Sequence, residues 1–133
     1  MGFKITNGEL DLFLRYAEGN LAVFFLLIAI RCTEQGGPGK EMGILNKQCK
    51  TLDAQVRWAR NTVLSKERIY LDAQGKPARS DTTHLFTDEF LVFFSSKYAP
   101  IGAKNDPQGL NENHLKNLRF YHSRCRSVLG EVV

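Results

Sequence analysis

Residues 21–43 read LAVFFLLIAIRCTEQGGPGKEMG, an apolar run that stops on a carboxylate and a pair of glycines. From Leu21 to Ile30 no side chain is polar. A run of about ten such residues is too short to span a membrane, which takes roughly 20, and too uniformly apolar for a helix with one wet face. It predicts a central helix buried on all sides. Glu34 falls in its last turn, where the partial negative charge of a helix end disfavours an acidic side chain. Local rules are most often broken at working sites, and a negative helix end beside apolar walls favours the proton-bearing form of a carboxyl. Glu34 is therefore the candidate general acid. The competing reading is a solvated Glu followed by a helix-terminating glycine, here Gly36.

The helices on either side follow from periodicity. Leu10, Phe13, Leu14 and Ala17 recur at spacings of three and four, which predicts a first amphipathic helix over 7–17 with Asn7 as its cap and Glu9 in its first turn. Gly19-Asn20 breaks that helix and caps the central one. After Glu34, the glycines at 36, 37, 39 and 43 and Pro38 force repeated turns, with a short strand or hairpin expected around Met42, Ile44 and Leu45. Thr51 caps a long helix to about Ala73, with Leu52, Val56, Ala59 and Val63 on one face and Arg57, Arg60, Lys66 and Arg68 elsewhere. Trp58, the single tryptophan, is expected in the core. Residues 74–83 read as a surface loop, with His84 solvated just beyond it. Thr87 opens a helix to about Lys97 that buries Phe86, Phe90 and Phe94. A loop from Tyr98 to Gly109 leads to a last helix capped by Asn111, with Leu115, Leu118, Cys125, Val128 and Leu129 as its buried stripe.

Two groups of motifs resemble the lysozyme superfamily, above all its lytic transglycosylases and its bacterial and phage glucosaminidases. The first is Thr33-Glu34-Gln35-Gly36 followed by Gly43-Ile44-Leu45-Asn46, with Gln35 where those families often have Ser and Asn46 where they often have Gln. The second is Lys97-Tyr98-Ala99-Pro100, Asn105-Asp106-Pro107, Leu110-Asn111 and Asn113-His114-Leu115-Lys116-Asn117, with His114 in place of an aromatic residue. The resemblance implies a mainly α, lysozyme-like single domain: about five helices around a buried central one, with a small β or irregular segment after it. It implies cleavage of peptidoglycan glycan strands with Glu34 as acid, and a substrate cleft drawing on Glu41, Gly43, Tyr98, Asn105, Asp106 and Asn117. A hydrolase would need a second carboxylate, about 6.5–9.5 Å away for inversion or about 5–5.5 Å for retention, and Glu41 and Asp106 are the candidates. A transglycosylase needs only one, because the muramic acid C6 hydroxyl attacks from within the substrate.

Composition sets outer limits. At 133 residues the chain is long enough for one core, and nine Phe point to aromatic bulk within it. The net charge of +4 suits an anionic polymer without selecting one. The three cysteines show no paired C-x-x-C spacing, so reduced thiols are expected, with Cys32 and Cys125 in the core, and neither a metal site nor a cofactor. Gly39-Lys40-Glu41 departs from the phosphate-binding G-K-[ST] pattern. The start of the sequence carries no secretory signal pattern, so action on a cell wall would need a phage lysis or virion route, or export by other means. A monomer without a membrane span is expected. Two further functions compete with glycan cleavage: a non-catalytic lysozyme-fold part, such as a wall-binding phage tail component, and a basic helical nucleic-acid binder. The second lacks any recognisable DNA- or RNA-binding signature, and the expectation is that nucleic acid is not a partner.

Overall fold

The computed structural model describes residues 5–79, 81–98 and 112–129, with only the backbone of Glu112, Val128 and Leu129. It is built of helices: α1 (Asn7–Ala17), α2 (Leu21–Glu34), α3 (Leu52–Ala73), α4 (Asp88–Tyr98) and α5 (Glu112–Leu129). The all-α expectation holds. No described residue lies in a strand, so the short strand or hairpin expected near Met42 is replaced by successive turns. Asn111 falls outside the described residues.

Helix α2 is the centre of the packing. Every residue from Val23 to Ile30 except Phe24 is almost wholly removed from solvent, and α1, α3 and α5 each pack against it. Helix α4 completes the layer by packing on α3 and α5, where Phe86, Phe90 and Phe94 stack along one face and Tyr70 of α3 meets Phe90 edge-on at 5.4 Å. Helix α5 runs antiparallel to α2: the Cys125 thiol lies against the Phe25 carbonyl, while His114, at the other end of α5, reaches Glu34. No described helix is long and apolar enough to cross a membrane.

The helix ends explain themselves chemically, with two corrections. Thr6, not Asn7, caps α1, in a reciprocal box where Thr6 Oγ1 accepts from Glu9 N–H and the Glu9 carboxylate accepts from Thr6 N–H. Asn20 caps α2 through Val23 N–H, and Thr51 caps α3 through Ala54 N–H. The left-handed residue that ends α2 is Gln35, with φ of 51°, and not Gly36. Gly36 serves a different need, since a Cβ there would fall 1.7 Å from the Lys40 carbonyl oxygen. The capping glutamate Glu9 also pairs with Arg31, whose guanidinium donates onward to the Gly36 carbonyl. Burial pushes the Glu9 carboxyl up, but the Thr6 amide and Arg31 outweigh it and hold it below its ordinary range.

The loop between α2 and α3 is tied by one side chain. Gln55 of α3 is fully buried; its carbonyl oxygen accepts from Met42 N–H and Ile44 N–H, and its amide donates to the carbonyls of Gly39, Ile44 and Cys49. One amide thus supplies what a strand ladder would otherwise provide. Replacing Gln55 by Leu strands several buried backbone groups, each worth about 1–3 kcal/mol, and is expected to cost about 3 kcal/mol or more in a urea unfolding series.

All three cysteines are buried and free. Burial pushes the Cys32 thiol up to about 11 and the Cys125 thiol up to about 12, so both stay protonated and behave as core residues. Burial also holds His122 of α5 down to about 4, helped by the charge of Arg126 and opposed by Asp88. A histidine lowered in the folded state contributes stability that is complete above the unfolded value near 6.5 and is lost as pH falls toward 4. The shift corresponds to about 3 kcal/mol. Thermal melts between pH 7 and pH 4 should show this loss, and His122→Leu should flatten it.

Candidate functional site

Glu34 is held where α2 meets the start of α5. Its side chain is about one-fifth exposed, and Oε2 lies 2.9 Å from His114 Nε2. The other oxygen, Oε1, faces Gly43: a Cβ built on Gly43 would fall 2.2 Å from it. Gly43 has φ of +78°, so backbone conformation and close approach independently require the missing side chain. One carboxyl oxygen is therefore bound by an imidazole, and the other lies close against Gly43.

His114, in the first helical turn of α5, is 7% exposed and is itself fixed from two directions. Its Nδ1 lies 2.7 Å from Ser95 Oγ of α4, and its ring stacks on that of Tyr98 at 5.8 Å between centroids and 19° between planes. Tyr98 in turn donates its hydroxyl to the Met42 carbonyl at 2.5 Å, which joins the end of α4 to the loop that carries Gly43. Burial and the neighbouring charge of Glu34 push the Tyr98 phenol far above its ordinary value, so it remains a neutral donor. Ser95, His114 and Glu34 form one hydrogen-bonded chain. Its order suggests a serine nucleophile, but Ser95 is 4% exposed inside the packing of α4, so the end of the chain that can meet a substrate is the carboxyl.

The expected site residues divide into those the fold gathers and those it does not. Glu34, Gly43 and Tyr98 come together as described. Glu41 lies on the same loop; its backbone carbonyl is 3.5 Å from Arg31 Nη1, and its Oε1 is buried without a hydrogen-bond partner among the described residues. Asn117 is exposed on α5, one turn beyond His114. Asn105 and Asp106 lie outside the described residues. Ser95 was missed altogether, and His114 entered the sequence reading only as a replaced aromatic. The available signal for Ser95 was a hydroxyl four residues after Leu91, on the buried face of α4. Trp58, expected in the core, is half-buried beside an open depression lined by Asn61, Thr62, Ser65 and Lys66.

Arg60 donates to the Tyr16 carbonyl and sits 3.6 Å from Glu18, and Arg68 pairs with Asp72. Among the described residues, no three His, Cys, Asp or Glu side chains come together in a way that would hold a metal ion. No protein-family model matches the chain, and neither curated proteins nor solved structures give a match.

Proposed function

We propose that the protein cleaves the glycan strands of peptidoglycan, with Glu34 as the acid that protonates the leaving glycosidic oxygen and with a lysozyme-like arrangement of helices around it. The observation that carries this reading is the asymmetric hold on one carboxyl: Oε2 bound by a buried imidazole, Oε1 beside Gly43, where no side chain stands. A general acid needs that arrangement, because one oxygen must stay fixed while the other gives up a proton along a defined direction. Glu34 alone suffices for the transglycosylase route, in which the nucleophile is a hydroxyl of the substrate itself. As the C1–O4 bond breaks, Glu34 gives its proton to O4. The muramic acid O6 then bonds to C1 and returns its own proton to Glu34, leaving a 1,6-anhydro end.

Mass spectrometry of muropeptides released from purified cell walls tests this. Anhydro-muramic ends are the expected product; reducing ends would point to hydrolysis through a second acid. Binding to walls without any release would favour the non-catalytic, wall-binding alternative.

A further inference from the structure

We propose that Ser95 and His114 act together as positioning residues that dictate which oxygen of Glu34 carries the transferable proton. The inference rests on the reading of Glu34 as an acid. It starts from the sequence of short contacts: Ser95 Oγ to His114 Nδ1 at 2.7 Å, and His114 Nε2 to Glu34 Oε2 at 2.9 Å. A neutral imidazole has one donor and one acceptor nitrogen, so whatever fixes one end fixes the other.

When the Ser95 hydroxyl donates to Nδ1, the ring proton must sit on Nε2, and Nε2–H donates to Oε2. An acid proton on Glu34 is then confined to Oε1, the oxygen beside Gly43. On transfer, Oε1–H gives its proton to the leaving oxygen while Ser95 O–H···Nδ1 and Nε2–H···Oε2 persist unchanged. The donor state and the carboxylate left behind thus share one set of hydrogen bonds, and the step needs no rearrangement of protein dipoles. The opposite tautomer would place the proton between Oε2 and Nε2, where the imidazole holds it.

The surroundings support a single ring orientation. Tyr98 stacks on the imidazole and is anchored through Met42, and the ring is almost wholly buried, so it has no room to turn over. Among the described residues, the ionisable groups brought to the ring by other elements are Glu34 of α2 and Tyr98 of α4, with Cys49 of the loop acting on Tyr98; burial keeps both the phenol and the thiol neutral.

Nitrogen-15 spectra of the imidazole near pH 7 provide the direct test. A protonated Nε2 and an acceptor Nδ1 are expected; a wild-type ring with the proton on Nδ1 alone, or on both nitrogens, overturns the proposal. Ser95→Ala should raise the share of the Nδ1–H form, lower kcat about tenfold with little change in KM, and move the alkaline limb of the pH–rate profile upward. Ser95→Thr, which restores the hydroxyl, should recover the tautomer and the profile. Unchanged kcat and pH profile in Ser95→Ala would sink the idea. The nitrogen signals report on the hydrogen-bond chain whether or not glycan is cleaved, so failure here is separable from failure of the glycan reading.

Discussion

Glu34→Gln is expected to lower muropeptide release by about a thousandfold while leaving the fold in place, the scale on which a positioned general acid contributes. The substitution keeps the volume and planarity of the side chain, and an amide can still face His114 across the 2.9 Å contact. What it removes is the transferable proton. The melting temperature should therefore stay within about 3 °C of wild type. Release of muropeptides by Glu34→Gln at more than a tenth of the wild-type rate would place the acid elsewhere, and Glu41 would be the next carboxyl to test.

Gly43→Ala should have the second largest effect, through crowding and not through lost chemistry. The new methyl would sit 2.2 Å from Oε1 and 2.5 Å from the carboxyl carbon of Glu34, far inside contact distance. Since the clash is with the end of a side chain, the carboxyl can swing aside and the chain can still fold. The cost of holding an L-residue at φ of +78° is about 1–2 kcal/mol. The displaced acid is another matter: a shift of about 1 Å in a reacting group costs on the order of a hundredfold in rate. A stable, folded Gly43→Ala protein with wild-type muropeptide release would show that Oε1 is not the working edge.

Much of the architecture was legible in local patterns, because those patterns are local physics. The apolar run from Leu21 to Ile30 has nowhere to go but the interior, and the four-residue spacing of Phe86, Phe90 and Phe94 can only describe one face of a helix entry and its first turns. The errors came where the chain chose between equivalent local solutions. Thr6 and Asn7 are both good caps, and the reciprocal bond with Glu9 decided for Thr6. Gly36 was the obvious residue for a left-handed helix end, yet the steric demand of the Lys40 carbonyl claimed it and left Gln35 to adopt that conformation. The strand expected at Met42 failed because its backbone groups are satisfied by the Gln55 side chain, a partner no short-range pattern announces.

The candidate site was legible only at its reactive end. Glu34 stands out because it breaks the charge preference of a helix end, and Gly43 is named only through the resemblance of Gly43-Ile44-Leu45-Asn46. Ser95 and His114 break none: a serine within a helix and a histidine near a helix start are unremarkable until tertiary packing brings them to within hydrogen-bond distance of one another and of Glu34.

The 80-residue separation between Glu34 and His114 has a consequence for the chain as it is made. A nascent polypeptide that has emerged as far as α3 already contains the carboxyl, the glycine beside it and the glutamine that ties the loop, but nothing yet grips Oε2. The tether arrives only with α5. Synthesis therefore separates possession of the acid from its alignment, and a chain interrupted before that helix would carry the reactive group in a form unable to aim it.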